Sequence, residues 1–303
     1  MVSSRLRSWS HRFLLLFLAG LATLHASGQT RTQTLIKPSH GLWVWKTPAV
    51  LATPADIEAL RNFCRSEHIN EVYLSFSSNG GPEGRAKEDA LLSGVIRQLH
   101  ESGIHAEALL SSADADEAGK PREKLLNEIR EVIQFNRSHT GSAFDGIHLD
   151  IEPQQRPENK GPGNFNFLPG LVETYRAARK LTAPARLTIN ADIPIKLLKG
   201  DLNQRRSLLT ALPSLTLMLY QLSSPGDGAS PEEQQAKLLA KTRETMQMAY
   251  EGLGRVNFAR LAIGLRTPDY KQRIPRMLQA IDNAEHANPH YLGWAWHSWN
   301  DHE

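Results

Sequence analysis

Short apolar runs alternate along this chain with longer segments whose apolar residues recur at helical spacing. The runs are LWVW (42–45), EVYLSF (71–76), HAEALL (105–110), GIHLDIE (146–152), RLTINAD (186–192), LTLMLY (215–220), RLAIGL (260–265) and YLGWAW (291–296). Between them, helical patterns cover 54–67, 86–102, 121–138, 168–182, 202–211, 231–251 and 270–286. Thr53-Pro54 and Ser230-Pro231-Glu232-Glu233 open two of these with helix-start chemistry, an oxygen-bearing cap followed by proline. Strands that alternate with helices predict a parallel sheet with crossover helices. Eight strands with seven intervening helices predict an α/β chain folded as a single (β/α)8 barrel over residues 29–303. A doubly wound open sheet is the alternative, and no Gly-rich phosphate loop follows any strand to support it.

The first residues break this rhythm. Arg5, Arg7, His11 and Arg12 precede the apolar run FLLLFLAGLATL (13–24), and small residues follow in HASG. That order is expected of a secretory signal over residues 1–28, and the run is too short to span a bilayer comfortably. The expectation is a secreted or periplasmic protein with no membrane anchor after cleavage. It also changes the charge argument. The whole chain holds 35 Lys and Arg against 32 Asp and Glu. Residues 1–28 contain three Arg and no acid, so 32 basic residues face 32 acidic ones in the remainder. A balanced charge gives no support to a nucleic-acid partner. Cys64 is the only cysteine, which excludes an intramolecular disulfide.

The chemistry concentrates in FDGIHLDIEP (144–153), where His148, Asp150 and Glu152 alternate with Ile147, Leu149 and Ile151. In a strand, every second side chain points the same way, about 6.5–7 Å apart. The three ionisable residues then face the barrel axis, and the last of them lies where barrel active sites form. Two carboxyls held close raise the proton affinity of one, which gives an acid able to protonate a glycosidic oxygen. Glu152, nearest the mouth, is the expected proton donor, with Asp150 as its partner. Two other readings of the stretch are a buried polar plug and a metal site; no HxH pair or HExxH helix supports the second, and no metal or cofactor is expected. Other strand ends also carry polar or aromatic residues, among them Ser111, Asn190, Asp192, Arg266 and His297. Trp43, Trp45, Trp294, Trp296 and Trp299 put five of six tryptophans on the first and last strands, and Trp45 and Trp296 are the expected sugar platforms. The long segment 153–166 after Glu152 has the length of a binding loop.

These residues resemble glycoside hydrolase family 18, the chitinase and endo-N-acetylglucosaminidase family, which carries DG-x-D-x-D-x-E at its fourth strand. Here Asp145, Gly146, His148, Asp150 and Glu152 occupy that pattern, with His148 in place of an aspartate. MLYQ (218–221), LAIGLRTPDY (261–270) and WAWHSW (294–299) follow in the family's order. The resemblance implies Glu152 as general acid/base and Asp150 orienting the substrate's own N-acetyl group as nucleophile. It further implies Tyr220 and Gln221 at that acetamido group and Trp296 beneath the sugar. The departures at His148 and Gln221 touch N-acetyl specificity most, and Asp192 is placed to supply the carboxylate that His148 lacks. The expected partner is a carbohydrate substrate. The alternatives are a carbohydrate-binding barrel without turnover, or a metal-dependent hydrolase on His148, Asp150 and Glu152.

Overall fold

The computed structural model describes residues 38–76, 81–161, 163–220, 230–251, 260–266 and 273–301. The expected signal segment therefore lies outside the described residues. Eight parallel strands close into a barrel in chain order: β1 (Ser39–Val44), β2 (Glu71–Ser75), β3 (His105–Ser112), β4 (Gly146–Ile151), β5 (Thr188–Pro194), β6 (Ser214–Met218), β7 (Arg260–Arg266) and β8 (Tyr291–His297). β8 returns to pair with β1, Gly41 opposite Ala295 and Leu42 opposite Trp296. The helices are a short α1 (Thr47–Val50), then α2 (Pro54–Ser66), α3 (Gly81–Glu101), α4 (Lys120–Ser138), α5 (Leu168–Thr182), α6 (Leu202–Leu209), α7 (Pro231–Tyr250) and α8 (Ile274–Glu285). The single (β/α)8 barrel expected from the alternation is the fold.

Local chemistry starts the helices where the sequence places them. Thr53 and Asp56 cap α2 reciprocally, side chain to backbone in both directions, and Ser230 with Glu233 does the same for α7. Asp201 and Gln204 form a third such box at α6, which the helical spacing alone did not reveal. Each cap satisfies amides that have no partner inside the helix and contributes about 1 kcal/mol.

The strands are buried on both faces, and each face has its own core. Outward residues such as Leu42, Val44, Ile147, Leu149 and Ile151 join the helices in one continuous apolar layer. Inside the barrel, Trp43, Tyr73, Leu109 and Ala295 form a separate small cluster, with Trp45 packed against it from above. Glycines make room for these large inward rings. A Cβ on Gly41 would stand 2.2 Å from the Tyr73 hydroxyl, and one on Gly264 would stand 3.1 Å from the Trp43 ring.

Candidate active site

β4 delivers its three ionisable side chains at three depths. His148 is fully buried, Asp150 is half-buried, and Glu152 is half-buried just beyond the strand end, its amide donating to the Ser112 carbonyl at 3.0 Å. Asp150 and Glu152 line a cleft of about 420 Å3 together with Trp45, Ser111, Ser112, Asp114 and Gln155. The cleft opens at the C-terminal ends of the strands, where barrel enzymes place their chemistry. It runs outward over the first turns of α4, past Pro121, Lys124 and Glu128.

Both carboxyls are pushed above the usual carboxylate range. For Asp150 the cause is burial, then the negative charges of Asp192 and Glu152, which outweigh the opposing His148 cation. For Glu152 it is burial, then Asp192, opposed by hydrogen bonds from Gln154 and Gln155. The Gln154 amide donates to one Glu152 oxygen at 2.8 Å and Gln155 donates to the other. Asp150 Oδ1 is buried with no hydrogen-bond partner among the described residues, and so is the Tyr220 hydroxyl at the end of β6. A buried polar atom left unpaired costs about 1–3 kcal/mol. Two such atoms in one site mark where a ligand's polar groups would be bound.

Below the cleft lies a polar layer. His148 Nε2 stands 2.9 Å from Asp192 Oδ1 on β5, and His148 Nδ1 stands 3.3 Å from Glu107 Oε2 on β3. Asp192 Oδ2 accepts from the Trp43 indole at 3.1 Å, and the His148 ring stacks on Tyr73 with centroids 3.7 Å apart. Glu107 Oε1 accepts from the Thr188 hydroxyl at 3.1 Å. Burial disfavours charge on His148, but Asp192 and then Glu107 more than compensate, and its pKa is raised to about 10. The imidazole is thus a cation at neutral pH with both nitrogens facing carboxylates, which leaves it no lone pair for a metal. Deeper still, Glu71 accepts from Ser39 at 2.6 Å and from Tyr73 at 3.1 Å; burial, then Glu107, raise it to about 8.

Several expected site residues take different places. Trp296 is 3% exposed and packs on Phe63 of α2 with ring centroids 5.2 Å apart. It faces the helices, because the register that sets Ala295 opposite Gly41 turns Ala295 and His297 inward instead. His297 takes the inward place at the end of β8, its ring 5.6 Å from those of Trp43 and Tyr220, and accepts from the Trp45 indole at 2.9 Å. His148 and Asp192, expected beside the substrate, are 0% and 1% exposed and lie beneath the cleft, bound to each other. Gln221 lies outside the described residues. Trp45, by contrast, lines the cleft, its backbone tied on both sides to the Asn300 amide at 2.8 and 2.9 Å. The sequence reading missed Glu107, for which an inward glutamate in HAEALL was the available signal, and it noted Trp43 on the first strand without placing it at the site.

The loop after β4 is anchored across the mouth. Arg156 pairs with the buried Asp116 at 2.8 Å and also with Glu117, both in the loop after β3. A multiply bonded guanidinium holds the floor beside Glu152 in one conformation.

No family model and no curated protein sequence matches the chain. Among solved structures, it is similar to a chitinase from Bacteroides thetaiotaomicron, at 12% identity over 87% of this chain and 90% of that one, with TM-score 0.53. It is also similar to the spore cortex-lytic enzyme SleL of Bacillus megaterium QM B1551, at 12% identity over 88% and 72%, with TM-score 0.54. The remote resemblance carried by the β4 motif thus extends to the fold: this chain is a (β/α)8 barrel similar to those of these two proteins.

Proposed function

We propose that this chain is a secreted glycoside hydrolase in which Glu152 is the general acid/base and Asp150 its partner. The observation that carries the reading is the cleft itself, which exposes two carboxyls from β4, both raised above their usual range, beside the indole of Trp45. An acid that keeps its proton near neutral pH, next to an aromatic face, is what cleavage of a sugar acetal requires.

Glu152 gives its proton to the glycosidic oxygen as the bond to the anomeric carbon breaks, and the departing sugar leaves as an alcohol. The positive charge on the anomeric carbon is then met by an oxygen nucleophile. β7 ends in Arg266, and among the described residues no carboxylate stands at that strand end to form a covalent intermediate. That favours attack by the substrate's own acetamido oxygen, with Asp150 Oδ1 and the Tyr220 hydroxyl at the acetamido group. Water then opens the resulting ring, giving a proton back to Glu152. Trp45 packs against the apolar face of a sugar.

Glu152→Gln keeps the shape and removes the proton. On a responsive glycan it should lower kcat by about a thousandfold or more with little change in KM, within the range general acids contribute. Unchanged turnover would rule out the acid role. Retained glycan binding without turnover by the wild type, across a broad panel, would instead establish a carbohydrate-binding barrel.

A further inference from the structure

The most unusual feature of the interior is a cation enclosed by acids directly beneath the site. We infer that Glu107, His148 and Asp192 are a positioning triad for the proposed catalytic pair: the imidazole clamps Asp192 in one orientation, and Asp192 in turn presents its carboxyl to Asp150 and Glu152 from the base of the cleft. The inference rests on the glycosidase reading and deepens it.

The geometry is specific. Three adjacent strands each contribute one member, and both Asp192 oxygens have a close contact: Oδ1 is ion-paired with His148 at 2.9 Å and Oδ2 accepts from the Trp43 indole at 3.1 Å. Asp192 is 1% exposed, so it serves the interior rather than the substrate. The imidazolium beside it offsets the cost of burying an acid at the base of the cleft. The β4–β5 register pairs His148 with Asn190 and Leu149 with Ala191, which sets Asp192 beside Asp150 on the neighbouring strand, and its charge raises both Asp150 and Glu152. Removing it lowers the proton affinity of the pair as a whole, however the proton is divided between them.

The other titratable groups do not duplicate this. Tyr220 on β6 stays a neutral phenol, since burial and these same acids oppose its ionisation. Arg266 on β7 stands over the Tyr220 ring, and His297 on β8 is held below its ordinary range by burial. Tyr175 on α5 is likewise neutral, and Lys196 acts on Glu152 with a weaker, opposite effect. Glu71, Tyr73 and Glu107 lie deeper, and none is among the charges acting on Asp150.

Two substitutions separate positioning from plain structure, because each removes one partner of His148. Asp192→Asn should move the alkaline limb of the kcat/KM profile down by about one to two pH units, the effect of one nearby like charge. Glu107→Gln should leave that limb in place while lowering thermal stability. The same shift should appear in a 13C-carboxyl NMR titration of Asp150 and Glu152, which needs no turnover. An unmoved carboxyl titration in Asp192→Asn, or equal movement in both variants, overturns the triad even if Glu152→Gln abolishes activity. Loss of glycan turnover in the wild type would sink the glycosidase reading alone. If Asp192→Asn does not fold, imidazole 15N NMR of the wild type decides. One buried imidazole must keep both ring protons at pH 8.5, and a neutral His148 at pH 7 overturns the inference.

Discussion

Replacing Trp45 and Trp296 separately by alanine tests which tryptophan belongs to the site. Trp296 is 3% exposed and sits between the barrel wall and Phe63 of α2. A tryptophan buries about 150–250 Å2, and at about 25 cal/mol/Å2 that area corresponds to about 4–6 kcal/mol. Measured aromatic-to-alanine costs in cores run about 3–5 kcal/mol. For a domain of this size, each kcal/mol moves Tm by about 2–4 °C, so Trp296→Ala should melt roughly 6–20 °C below wild type. At temperatures where it remains folded, its KM should be unchanged, because its ring never reaches the cleft. Trp45 is half-buried, and its backbone anchor to Asn300 survives truncation. Trp45→Ala loses the indole donor to His297 and the sugar face. Its Tm should fall by only a few degrees, while KM rises about tenfold, equivalent to about 1.4 kcal/mol of binding. Differential scanning fluorimetry beside steady-state kinetics reads both. A Trp296→Ala protein of normal Tm and raised KM would refute the assignment of faces on β8.

Tyr220→Phe removes a hydroxyl with no described partner, so Tm should hold or rise slightly while kcat/KM falls about tenfold, as for loss of one substrate hydrogen bond; an unchanged rate would detach Tyr220 from the substrate. The His100–Asp145 pair, 2.9 Å apart, predicts a pH dependence of stability. His100 is raised by its hydrogen bond to Asp145, so its contribution is present below about pH 6.5, the ordinary histidine value, and fades as pH climbs through the raised one. Asp145 is lowered despite burial, because His100 and the Ala106 amide favour its charge, so its share is present above about pH 4 and disappears on acidification. His100→Gln should therefore flatten the Tm profile above about pH 6.5, and a profile identical to wild type would discount the pair. Gly293→Ala should be among the costliest single changes. Its φ is +153°, and an added Cβ would meet the Ser39 carbonyl oxygen at 1.8 Å, backbone that cannot move aside without opening the β1–β8 seam. Loss of soluble protein or a Tm drop above about 10 °C is expected, and a mild effect would contradict the closure geometry.

The barrel was legible because its signal is long-range and repeated. An apolar run followed by a helical pattern recurs seven times before the eighth run closes the series, and errors at single boundaries do not change the count. The depth order on β4 was legible too, since polar residues alternating with Ile and Leu fix which side is inward. The same logic failed on β8. WAWHSW has bulky or apolar residues at both parities, and a strand buried on both faces gives no polarity by which to choose between them. Only pairing settles the matter: Gly264 and Gly41 flank Ala295, and their inward positions carry Ala295 and His297 with them. The role of Glu107 was missed for a different reason. Its partner His148 is 41 residues away, and what joins them is barrel register, Leu109 opposite His148.

That register gives the β4 alternation its meaning. One sequence pattern, three ionisable side chains two residues apart, becomes three chemical states because the barrel presents a different surrounding at each depth. At the floor, acids from β3 and β5 flank His148 and hold it as a cation. One step higher, Asp150 meets like charge from Asp192 and Glu152 with little solvent, and is pushed above the ordinary carboxylate range. At the rim, Glu152 keeps solvent access and accepts from two glutamine amides, which oppose the rise that burial and Asp192 cause. Where the resembled motif has an aspartate, this chain has His148, and the buried acid of that layer is Asp192 on the neighbouring strand, where two partners fix its position. A single His148→Asp change would bring a third acid into this layer without a cation to balance it. It should lower stability rather than enhance activity, and a Tm and kcat both at or above wild type would show that the charge balance argued for here is wrong.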